Sequence, residues 1–83
     1  MELTVKVKLG DMPTMRAVAQ AAAKMSTFSA QVLLRKGDIT VNAKSLMGLL
    51  SLSIHDGEGV TIIANGVDEA QAVCAMADLL QNH

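Results

Sequence analysis

Aromatic side chains are almost missing from this chain: Phe28 stands alone, with no Trp and no Tyr. Without aromatic platforms there is little on which bases can stack. Charge of one sign is missing too. Seven Lys and Arg meet eight Asp and Glu, for a formal net charge of −1. No broad basic face is therefore available for a phosphate backbone, and nucleic acid is not an expected partner. Cysteine is limited to Cys74, which excludes an intrachain disulfide. Cys74 lies in a helical pattern with Val73, Ala75 and Met76 and has no basic neighbour in sequence, so a buried, inert thiol is expected. No stretch approaches the roughly 18 apolar residues of a membrane span. Glu2, Thr4 and Lys6 interrupt the first apolar positions, so no secretory leader is expected either. These absences point to a soluble cytoplasmic protein, with no membrane contact, cofactor or metal.

What is present is aliphatic. Hydrophobic residues make up 51% of the 83 residues, six of them Met. That length suits one small domain, 1–83, burying roughly 60% of its unfolded surface. Methionine fills such a core adaptably.

Leu3, Val5 and Val7 alternate with Thr4, Lys6 and Lys8, the period of a half-buried strand. Leu9-Gly10-Asp11-Met12-Pro13 breaks it. Asp11 is a suitable N-cap and Pro13 suits a first helical turn. The helix runs to about Lys24 or Met25, with Met15, Val18, Ala19, Ala22 and Met25 as its inward stripe. Gln31 to Arg35 and Ile39-Thr40-Val41 form a hairpin about Lys36-Gly37-Asp38. A short helix follows Ser45, then a loop, His55-Asp56-Gly57-Glu58-Gly59. Val60 to Ala64 is a strand, with Leu3, Val5, Val7, Val60 and Ile62 expected under helices. Asn65-Gly66 turns the chain, and Asp68 caps the last helix, with Gln71 placed for a capping-box-like pair. The order β-α-β-β-α-β-α implies an α+β fold, an antiparallel or mixed sheet with helices on one face.

The Ser45 helix stands out. Ser45 is placed to accept a backbone N–H. Behind it, Leu46, Met47, Leu49, Leu50 and Leu52 are too many for one buried stripe. Either the helix is covered all round, or part of it stays exposed to meet a partner.

Asn42-Ala43-Lys44-Ser45-Leu46-Met47-Gly48-Leu49-Leu50-Ser51-Leu52 resembles the regulatory-serine segment of HPr, the histidine-containing phosphocarrier family of the bacterial sugar phosphotransferase system. The resemblance extends more loosely along the whole chain. It implies an open-faced β-sandwich, a four-stranded antiparallel sheet of order 1-4-2-3 with three helices on one face. It implies phosphorylation of Ser45 by an ATP-dependent HPr kinase/phosphorylase. It also implies protein partners, the kinase, enzyme I and the catabolite control repressor, meeting Leu46, Met47, Leu50 and Arg16.

The family's phosphorylatable histidine, at the start of the first helix in a Gly-Leu-His-Ala-Arg-Pro stretch, is not matched. Leu9-Gly10-Asp11-Met12-Pro13-Thr14-Met15-Arg16 stands there. Counting back without gaps from Lys24-Met25 places Asp11 on the histidine position. Matching the prolines places Gly10 there instead. The other histidines, His55 in a loop and His83 at the end, are expected to be solvated surface residues. Relatives that keep the serine and lack the histidine act as corepressors, and this chain is similar to that subtype. A regulatory, non-enzymatic protein acting through Ser45 is therefore the expectation. The alternatives are a divergent phosphocarrier accepting a phosphoryl group on Asp11, and an HPr-like domain diverted to another binding task with Ser45 only a cap. Asp11 also suits an uncomplicated role, a cap offsetting the helix dipole with Arg16 one turn away. The short edge Ile39–Val41 implies a monomer or a weak dimer.

Overall fold

A computed structural model describes residues 1–81; His83 lies outside the described residues. The elements are β1 (Glu2–Lys6), α1 (Thr14–Met25), β2 (Gln31–Lys36), β3 (Ile39–Asn42), α2 (Leu46–Ser51), β4 (Gly59–Asn65) and α3 (Glu69–Gln81). The strands pair antiparallel in the order β1-β4-β2-β3, the topology implied by the resemblance.

Register places the apolar residues on one face. Val5 lies opposite Val60, Val32 opposite Ala64, and Leu34 opposite Ile62, all buried. The three helices cover this face, with α3 against β1, β2 and β4 and α1 between α2 and α3. Met25 and Met76 are fully buried where helices meet sheet, the gap-filling use expected of a core without aromatics. No polar side chain is buried among the described residues.

The outer residues of these elements depart from the sequence reading. Leu3 shares the inner face with Val5 yet is 43% exposed; it lies on β1, an edge strand of the sheet. On α1 the buried residues are Ala17, Val18, Ala21, Ala22 and Met25. Met15 is 59% exposed and Ala19 is exposed. Packing between two neighbouring helices rotates the covered face onto the row of Ala17 and Ala21. Cys74 is exposed, not buried, since α3 buries Ala72, Val73, Met76 and Leu80 and position 74 falls on the opposite side.

Neither acidic cap forms as expected. Pro13, not Asp11, is the N-cap of α1, and it supplies no side-chain hydrogen bond. A residue preceding proline is pushed out of the helical region, so the helix cannot extend back past Met12 and Asp11 is out of range. No ion pair joins Asp11 to Arg16 among the described residues. Asp68 does start α3, its carbonyl accepting from Ala72 N–H at 3.0 Å. Its carboxylate, however, accepts the N–H groups of Ser29 and Ala30 at 2.8 and 2.7 Å, and Gln71 forms no capping pair among the described residues. Glu69 instead accepts from Gly66 N–H at 3.3 Å.

The far end of α2 is held by Lys36. Its ammonium donates to the carbonyls of Leu52 and Ser53 at 3.1 and 2.8 Å and pairs with Glu58 at 2.8 Å. Glu58 also accepts from the N–H of His55 at 2.7 Å. Three carboxyls are thereby held below their ordinary range: Glu58 chiefly by Lys36, Asp68 chiefly by Ser29 N–H, and Glu69 chiefly by Gly66 N–H. A depressed folded-state pKa contributes stability above the unfolded value and loses it as pH falls through the folded one. The urea midpoint is therefore expected to stay level near neutrality and to drop below about pH 4.5, where carboxylates begin to protonate. Asp68→Asn should give a shallower acid limb; an unchanged limb would mean that Asp68 is not stabilised as described.

Candidate functional site

The approach to Ser45 is built by β3 and a local turn. Ala43 is fully buried and donates its N–H to Val32 at 2.9 Å, fixing where the strand ends. Asn42 then folds the chain back. Its side-chain oxygen accepts from Lys44 N–H at 2.9 Å and its carbonyl from Ser45 N–H at 3.0 Å. This is the local competition with strand pairing that asparagine provides. Ser45 is extended at φ −104°, ψ 117°, and its hydroxyl accepts from Gly48 N–H at 3.2 Å. It is thus the N-cap that the sequence suggested.

Between the two alternatives for the apolar run, the structure selects partial exposure. Leu49 and Leu52 are buried at 1% and 3%, and Leu50 is half-buried against the core. Leu46 is 40% and Met47 77% exposed. A six-residue helix has too few positions to bury all five apolar side chains against one sheet, so the first turn remains uncovered beside Ser45. The serine itself is half-buried. Arg16 is exposed on α1, the helix that packs against α2.

Lys44 was not singled out by sequence, although it belongs to this site. Its ammonium donates to the carbonyl of Phe28 at 2.8 Å, spanning from the head of α2 to the connector after α1. No local pattern signals a contact between residues sixteen apart. Met15 was also missed as a surface residue: it is exposed in the first turn of α1.

The other candidates lie in loops outside α2. Asp11 is exposed beside Gly10, whose φ is +62°, in the loop before α1. It holds no cation within ion-pair distance among the described residues. His55 is 71% exposed and sits 3.1 Å from Glu58 in the loop before β4, a solvated position as expected. No cluster of three metal-ligating side chains occurs among the described residues, and no helix there is long and apolar enough to cross a membrane.

A family model described as the HPr component phosphorylation site of the phosphotransferase system matches residues 1–82. The chain is 39% identical over 77 residues to the HPr-like protein Crh of Bacillus subtilis, spanning 93% of this chain and 91% of that one. Among solved structures, the phosphocarrier protein HPr of Bacillus anthracis superposes with a TM-score of 0.89 at 35% identity, covering 98% and 96% of the two chains. Crh of Bacillus subtilis, described as a swapped-domain dimer, gives 0.73 at 37% identity over 90% and 82%.

Proposed function

Because the chain belongs to the HPr family of the phosphotransferase system, we propose that it is a regulatory member, phosphorylated on Ser45 and acting by docking to other proteins. One observation carries this reading: an N-cap hydroxyl stands beside uncovered Leu46 and Met47, while aspartate or glycine replaces the family's phosphohistidine.

The chemistry suits the place. Transfer from ATP replaces the Oγ–H bond of Ser45 by an Oγ–P bond, leaving ADP and a proton. The phosphate adds roughly −1.5 to −2 charge. The head of a helix accommodates it, with unpaired N–H groups and a favourable dipole of roughly 0.3–1 kcal/mol. The fold is therefore kept while the surface changes sign. An anion next to Leu46 and Met47, with half-buried Leu50 behind, fits a partner that offers arginine and an apolar groove. Arg16 adds a cation for an acidic group on that partner. The kinase, the catabolite control repressor and enzyme I are the partners this reading names.

The test offers the protein HPr kinase/phosphorylase with ATP, and separately enzyme I with phosphoenolpyruvate, and locates the phosphate by mass spectrometry. Acid-stable label on Ser45, absent from Ser45→Ala, is expected. The variant loses its cap at a cost of about 1 kcal/mol and should remain folded. Label from enzyme I that disappears in Asp11→Ala would replace this reading with a phosphocarrier. No label from either donor would point to a domain diverted to another binding task.

A further inference from the structure

The Phe28–Ser29 peptide group is gripped at both ends. Lys44 donates its ammonium to the carbonyl oxygen of Phe28 at 2.8 Å, and the N–H of Ser29 in the same peptide donates to Asp68 Oδ2 at 2.8 Å. Ala30 N–H donates to Asp68 Oδ1 at 2.7 Å. A cation, one peptide dipole and an anion are therefore linked in series. Each polarises the next, so each bond in the chain strengthens its neighbour. The series joins the head of α2 to the head of α3 through the connector 26–30. Lys44 is also the residue immediately before Ser45.

We propose that Lys44 is a relay residue: phosphorylation of Ser45 draws its ammonium off the Phe28 carbonyl and loosens the connector's hold on Asp68. The inference rests on Ser45 as the modified residue. The competition is uneven. The ammonium now bonds a neutral carbonyl, whereas a phosphate oxygen would add the attraction of an opposite charge to the hydrogen bond. Once Lys44 leaves, the peptide loses polarisation and Ser29 N–H becomes a weaker donor. The bond that does most to hold down the pKa of the carboxylate at the start of α3 is then weakened. A partner could thus sense the phosphate at α2 and its consequence around Ser29 and Asp68.

The experiment uses the full chain with phosphoserine installed at position 45 during translation, so that no kinase is needed. The Phe28 carbonyl and the Ser29 and Ala30 amides are followed by NMR at fixed pH. In the phosphorylated wild type these resonances are expected to move, and amide exchange at Ser29 and Ala30 to accelerate roughly three- to tenfold, the loss of about one hydrogen bond. Lys44→Gln should already show the faster exchange and gain nothing further from the phosphate. Lys44→Arg should restore the response. Resonances unmoved in the phosphorylated wild type, or moved equally in Lys44→Gln, would overturn the relay. Failure of the kinase to label Ser45 would count against the proposed function alone, because this measurement does not depend on it.

Discussion

Gly66→Ala is expected to be among the most damaging single-methyl additions to this protein. Gly66 has φ +150°, and a Cβ built there would lie 2.5 Å from the Cα and 2.8 Å from the Cβ of Ala30. Ala30 is fully buried and its N–H is held by Asp68, so neither backbone can yield without breaking the junction of β2, β4 and α3. Overpacking and a strained backbone together should cost about 3 kcal/mol or more. An 83-residue domain has of the order of 4–12 kcal/mol to lose. Gly57→Ala is the matched control. Its φ is +87° but nothing lies within 4 Å, leaving only a conformational penalty of roughly 1–2 kcal/mol. Urea unfolding of the two variants checks this, and equal midpoints would mean that the approach to Ala30 is not tight.

Met47→Asp is expected to do the opposite, sparing the fold and abolishing the interaction. Met47 is 77% exposed, so its replacement should change stability by no more than about 0.5 kcal/mol. On the proposed docking surface the same change places a like charge beside phosphorylated Ser45 and removes the most exposed apolar anchor. Loss of such an anchor is worth about 2 kcal/mol, roughly 30-fold in affinity. The phosphorylated variant should therefore bind the catabolite control repressor at least 30-fold more weakly in calorimetry. Ile39→Asp, at the opposite end of β3 and 56% exposed, should leave binding unchanged. Equal losses for both variants would place the interface elsewhere.

The element order was legible from local pattern alone. Alternation marks β1, the Asn65-Gly66 pair marks the turn before α3, and Ser45 marks the head of α2. Each signal depends on a residue's own backbone preferences and near neighbours. The strand order 1-4-2-3 came from the family resemblance. Register then followed from burial, because slipping β4 by one residue would turn Ile62 out and Ile63 in.

Side-chain partners were less legible. Asp68 is a sound N-cap by type, yet its carboxylate serves two amides 38 and 39 residues away. Asp11 is equally sound by type and caps nothing, because Pro13 delays the helix. Met15 and Cys74 carry apolar character but face outward, because α1 is flanked by two helices and α3 lies flat on the sheet.

The sequence by itself determined which segments are helix or strand, where they turn, and that a serine heads a run with more apolar residues than one face can hide. Only the tertiary structure decided which of those residues remain uncovered, and that Lys44 and Asp68 meet across one peptide group. The physical reason is range. Backbone preference acts over a few residues, whereas exposure and long-range hydrogen bonds depend on which neighbour arrives from elsewhere in the chain.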